Sequence, residues 1–106
     1  MESVKGKYVL IAGATGGIGS QTAKLLAGSG AQVFLTGRNA EKLHTVAEQL
    51  SIPQTHTFAA DLSVPEQVQQ LAQQFFAVFP AIDVLVNASG VGIIKPMDTL
   101  SEVEFL

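Results

Sequence analysis

The sequence predicts an α/β fold in three layers: a parallel sheet covered by helices on both faces. Three observations carry this. Four strand-like apolar runs alternate with three amphipathic helical ones, with no linker or low-complexity stretch between them. Of 106 residues, 47% are hydrophobic and only 14% charged, which is enough apolar material for a core. The first strand also runs straight into a glycine-dense turn, and a helical pattern follows at once.

Strand one is Tyr8–Ala12. Helix one spans roughly Ile18–Ser29, with Ile18, Thr22, Leu25, Leu26 and Ser29 on one face and Gly30 as its stop. Strand two is Gln32–Thr36. Helix two starts at an Asn39 cap and turns Leu43, Val46, Ala47 and Leu50 inward. Pro53 breaks it, and strand three is Thr55–Ala59. Helix three begins at Ser63, where Ser63 and Glu66 have capping-box spacing and Pro65 falls in the first turn. Its core stripe is Val68, Leu71, Ala72, Phe75 and Phe79, and Pro80 ends it. Strand four is Val84–Asn87, followed by a loop over Ala88–Met97. Thr99 or Ser101 caps the start of a fourth helix. Right-handed crossovers then give strand order 3-2-1-4, half of a Rossmann-type domain. Ligands of such sheets bind where the strand order reverses, between strands one and four.

The glycine turn carries the chemistry. A helix N-terminus presents unpaired N–H groups and a partial positive charge. Glycine lets the backbone approach a phosphate with no side chain in the way. Gly13-Ala14-Thr15-Gly16-Gly17-Ile18-Gly19, placed between a strand and a helix, therefore points to a dinucleotide. The net charge of −3 argues against nucleic acid as a partner, so local geometry must hold the anion. No apolar run is long enough to span a bilayer, so no membrane partner is expected. Without cysteine there is no disulfide framework and no thiolate metal site. The expectation is a soluble, cytoplasmic protein with no metal centre. His44 and His56 have no partner spacing for metal or triad chemistry.

The glycine spacing is G-x-x-x-G-x-G, at Gly13, Gly17 and Gly19, with Gly16 in addition. This resembles the cofactor loop of the short-chain dehydrogenase/reductase family. Asp61-Leu62 after strand three resembles that family's Asp-hydrophobic pair. Asn87-Ala88-Ser89-Gly90 after strand four resembles its N-N-A-G motif. The three motifs fall in order at the ends of the right strands, and the resemblance covers the whole chain. It departs at Ala12, where the family often has Thr, and at Ala88, which stands in the second Asn position. The resemblance implies that Gly13, Thr15, Gly16, Gly17, Ile18 and Gly19 surround the pyrophosphate. It also implies that Asp61 and Leu62 border the adenine, and that Asn87, Ala88, Ser89 and Gly90 lie along the rest of the cofactor. Asp61 also reads as a solvated loop residue, and Asn87 as a tie for the end of strand four.

The end of strand two decides between dinucleotides. A carboxylate here would bond the ribose 2′-hydroxyl of NAD. The chain reads Leu35-Thr36-Gly37-Arg38-Asn39 instead. Arg38 offers a planar fork suited to a phosphate, beside a helix N-terminus where a lone cation is mildly unfavourable. Thr36 and Gly37 leave space, so Arg38 favours NADP(H), with NAD(H) second, and Asn39 next to it is placed at the cofactor as well.

The family's catalytic Ser, its Tyr-x-x-x-Lys pair and its helix-four Asn lie beyond the N-N-A-G motif. The single tyrosine here is Tyr8, and four residues on stands Ala12. The resemblance therefore implies that residues 1–106 are a partial NAD(P)-binding domain, truncated before the catalytic half. It would be part of an oxidoreductase, with no catalytic residue of its own. Two alternatives stand beside this: a stand-alone nucleotide-binding module, and an interaction protein. Truncation would also leave Val84-Leu85-Val86 as an exposed apolar edge, with self-association, pairing with another chain or marginal stability expected.

Overall fold

The computed structural model describes residues 4–88 and the backbone of 93–96. Its elements are β1 (Tyr8–Ala12), α1 (Gly17–Gly28), β2 (Gln32–Gly37), α2 (Ala40–Gln49), β3 (Thr57–Ala59), α3 (Pro65–Val78), β4 (Val84–Asn87) and β5 (Ile93–Pro96). The sheet order is β3-β2-β1-β4-β5. The first four strands are parallel, in the expected order 3-2-1-4.

Side chains of a strand alternate between faces, and β1 shows what that builds. Val9 and Ile11 join Val33, Leu35 and Val86 on one face, under Ala23 and Leu26 of α1 and Leu43 and Ala47 of α2. Leu10 joins Phe34 and Leu85 on the other, under Leu71 and Phe75 of α3 and the following Phe79. Because both faces are covered, the central strands read as continuous apolar runs. The second core is aromatic: Phe34 meets Phe75 at 5.3 Å between ring centroids, and Tyr8 meets Phe79 at 5.1 Å. Asp83 ties the start of β4 to β1. Its Oδ2 accepts from the Tyr8 N–H, and its own N–H donates to the Tyr8 carbonyl, each at 2.8 Å.

Several sequence expectations change. Helix α1 buries Gly19, Ala23 and Leu26, whereas Ile18 is 70% and Leu25 59% exposed. The helix lies close to the sheet, so Gly19 and Ala23 pack beside Leu26 at the interface, while Ile18 and Leu25 point away. The Ser63–Glu66 capping box does not form. Asp61 takes the Ser63 hydroxyl instead, Oγ to Oδ1 at 2.7 Å, and α3 starts later at Pro65 with Val64 as N-cap. Strand β3 is shortened by a 3-10 turn over Gln54–His56, held by His56 N–H to the Pro53 carbonyl at 2.9 Å. Ala72, expected in the core stripe of α3, is exposed.

The largest change concerns β4. It is not an edge. Antiparallel β5 covers it, with Leu85 opposite Lys95 and Val86 opposite Ile94. The β-branched pair Ile93-Ile94 read as loop because Gly90, Gly92 and Pro96 surround it. The expected pairing with another chain through an open β4 therefore loses its basis. Ser89, Gly90 and the start of a fourth helix lie outside the described residues.

His56 is half-buried, its ring 4.8 Å from that of Phe79. Burial pushes its pKa below 6.5. As pH falls through that value, the unfolded chain gains its proton before the folded one does. Stability is thus full above it and declines below. The drop in melting temperature between about pH 7.5 and about pH 5.5 should shrink in His56→Gln. An unchanged drop would mean that His56 is not a source of acid sensitivity.

Candidate nucleotide site

The site is built at the carboxyl ends of β1, β2 and β3, where the chain leaves the sheet for a helix three times. Backbone bonds join these exits. The Ala14 N–H donates to the Thr36 carbonyl (3.1 Å), that of Ala60 to Gly37 (2.9 Å), and that of Ala88 to Ala12 (2.9 Å). Thr36 is fully buried, and its hydroxyl donates to the Phe58 carbonyl at 2.6 Å. The rim of the site is therefore held by the sheet itself.

Between the exits lies a cleft of about 590 Å³, within the usual range of small-molecule sites. Gly13, Thr15 and Gly16 form one wall. Gly37, Arg38, Asn39 and Lys42 form the second, and Asp61, Leu62 and Ser63 the third. Ala88 closes the side toward β4. The structure thus gathers Gly13, Thr15, Gly16, Arg38, Asn39, Asp61, Leu62 and Ala88 around one space. Gly17 and Ile18 are exposed in the first turn of α1 and do not line it. Asn87 is 3% exposed at the end of β4, in register with Ala12.

The glycines divide by role. Gly13 has φ +75°, a conformation side chains resist. A Cβ on Gly19 would overlap the Gly13 carbonyl, so this position serves the approach of α1 to β1. Gly17 is different: nothing lies within 4 Å of where its Cβ would stand. Packing within the protein therefore does not require a glycine there. Gly16, the N-cap of α1, makes no side-chain cap bond, so the first-turn N–H groups of α1 lack a protein side chain as partner. At α2, by contrast, Asn39 Oδ1 accepts from the Lys42 N–H at 3.0 Å. Of these two helix starts, only α1 lacks a side-chain cap. An anion at α1 fits the donor set and the space.

Asp61 faces the cleft as an anion. Hydrogen bonds from the Ser63 hydroxyl and then the Ser63 N–H hold its carboxyl below the ordinary carboxylate range. Burial opposes this, and the Arg38 charge adds to it. Both Ser63 donors use Oδ1 and neither uses Oδ2. Arg38 is exposed and lines the same cleft, with no carboxylate at its own strand end. The sequence placed Thr36 at the end of strand two as a residue that leaves space, but not the hydroxyl bond by which it ties β2 to β3, and it did not single out Lys42. The available signal for Lys42 was its spacing of four residues from Arg38.

Comparison with known proteins agrees with this geometry. The model of the short chain dehydrogenase family matches residues 7–106. The chain belongs to that family. An uncharacterised oxidoreductase from Staphylococcus haemolyticus is 35% identical over 91 residues, which are 86% of this chain and 39% of the relative. A short chain dehydrogenase from Shigella flexneri, solved as a complex with NADP, has a TM-score of 0.74 at 34% identity, covering 86% of this chain and 41% of that one. The RhlG/NADP active-site complex of Pseudomonas aeruginosa gives 0.75 at 34% identity, covering 83% and 36%. The chain thus spans about two fifths of the length of the curated relatives it matches. A nicotinamide dinucleotide is the cofactor this short chain dehydrogenase fold is built to hold. Among the described residues, no helix is long and apolar enough to cross a membrane, and no cluster of side chains could hold a metal.

Proposed function

We propose that this chain is the NADP(H)-holding part of a cytoplasmic short chain dehydrogenase, one that moves hydride between NADP(H) and a carbonyl or alcohol. The observation that carries the choice of cofactor is Arg38, set in the cleft at the end of β2 where a carboxylate would select NAD. In this reading the first turn of α1 receives the pyrophosphate, with the space at Gly17 admitting its oxygens. Asp61 accepts from the adenine amino group, and Leu62 borders the ring. Arg38 takes the 2′-phosphate through its fork, with Asn39 beside it. Asn87 and Ala88, with Ser89 and Gly90, lie toward the nicotinamide. A bound nicotinamide would give or accept the hydride. The 106 residues contain one tyrosine, Tyr8, in the middle layer of the fold, and no Tyr-x-x-x-Lys. We accordingly expect binding without turnover from these residues alone.

The test is a fluorescence titration of the chain with NADPH and with NADH. NADPH is expected to bind at least about tenfold more tightly. Equal affinities would overturn the choice of NADP. No binding of either would overturn the cofactor reading itself.

A further inference from the structure

We propose that Lys42 is a second selector of the adenosine 2′-phosphate, acting beside Arg38; this rests on the NADP(H) reading above. Lys42 lines the cleft together with Thr15, Arg38 and Asn39. Lys42 and Thr15 also border a second hollow of about 310 Å³, on the far side, with Glu41, Thr45 and Val46. They are the two residues shared by both spaces and so form the ridge between them. The backbone of Lys42 is fixed. Its N–H donates to Asn39 Oδ1, and the next N–H, of Leu43, donates to the Asn39 carbonyl, both at 3.0 Å. The exposed side chain leaves from an anchored first turn, not from a loop.

Charge balance supplies the reason for a second cation. A phosphate monoester carries about −1.5 to −2 at neutral pH. Arg38 contributes one positive charge, and Asp61 lines the same cleft with a negative one. Glu41, in the same first turn as Lys42, adds a negative charge nearby. Arg38 alone therefore leaves a 2′-phosphate under-compensated. Lys42 restores the balance, and its ammonium can donate to an oxygen that the planar fork of Arg38 does not reach. The Thr15 hydroxyl, on the same ridge, offers a neutral donor. NADH presents no such charge, so Lys42 should be indifferent to it.

The experiment compares the full chain with Lys42→Ala, Lys42→Glu and Lys42→Arg, titrated with NADPH, NADH, 2′,5′-ADP and 5′-AMP. Lys42→Ala is expected to weaken NADPH and 2′,5′-ADP by about 5–20-fold, and NADH and 5′-AMP by less than about twofold. Lys42→Glu should weaken the phosphorylated pair further, and Lys42→Arg should restore most of the loss. Thermal melts of the variants should stay close to the parent, since the side chain is exposed. A parent that prefers NADPH, with variants that keep its NADPH-to-NADH ratio, would overturn the role of Lys42 and leave the cofactor reading standing. Parallel losses for NADPH and NADH would overturn selection and mark Lys42 as a support of the first turn. A parent without preference for NADPH would overturn both readings.

Discussion

Gly19→Ala is expected to destabilise the domain by about 3 kcal/mol or more, and Gly17→Ala, two residues away, to leave the fold intact and lose cofactor affinity. The contrast follows from what each new methyl would meet. At Gly19 it would overlap the Gly13 carbonyl and crowd Ala14, all of them backbone, with no flexible side chain to move aside. Relief requires α1 to lift from β1, which would expose Ala23 and Leu26 of the first core. Against a total stability of about 5–15 kcal/mol, such a loss is large, and in a domain of this size it lowers the melting temperature by roughly 12–24 °C. At Gly17 the methyl meets nothing within 4 Å. The backbone there is helical, so alanine should be neutral or stabilising by up to about 1 kcal/mol. The same methyl would stand where a phosphate oxygen approaches, and NADPH affinity should fall about tenfold or more. Melting curves and NADPH titrations of the two variants make the check. A Gly19→Ala protein that melts with the parent would remove the packing argument. A Gly17→Ala protein that binds NADPH normally would remove the phosphate from this turn.

Arg38→Asp is expected to invert the dinucleotide preference. NADPH should weaken about 100-fold, because a charge-assisted fork is lost and a like charge is put in its place. NADH should gain, because the carboxylate can accept from the ribose hydroxyls. The gain should be the smaller effect: the new carboxylate would face Asp61, which already carries a negative charge into the cleft. The fold should tolerate the change. Arg38 is exposed just ahead of α2, where a negative charge is favoured by about 0.3–1 kcal/mol. Continued preference for NADPH in Arg38→Asp, measured by paired titrations, would show that selection lies elsewhere.

Much of the fold was legible because the strongest signals are local. Apolar runs bounded by glycine and proline set β1, β2 and β4, and the Asn39 cap placed α2. The glycine turn and Arg38, read from the sequence as parts of one site, line the same cleft. What escaped depends on neighbours that sequence spacing does not show. The inward face of α1 is made of Gly19, Ala23 and Leu26: periodicity picked out Leu26, while close approach to the sheet put Gly19 and Ala23 where Ile18 and Leu25 were expected. Ser63 was a plausible cap until Asp61 competed for its hydroxyl. Strand β5 was hidden by the glycines and proline around Ile93-Ile94, and its pairing removed the open edge expected at β4. Lys42 was indistinguishable from any solvated lysine until the turn of α2 brought it beside Arg38 and Thr15.

The bonds that join the strand ends have a consequence for how cofactor preference can change over time. Gly37 is held to Ala60, Ala14 to Thr36, and the first turn of α2 to Asn39. Arg38 and Lys42 hang from this frame as exposed side chains and contribute nothing to either core. Their replacement therefore leaves folding almost untouched. On the NADP(H) reading proposed above, dinucleotide preference is modular: a lineage could rewrite it in one or two substitutions, without first repacking the interior.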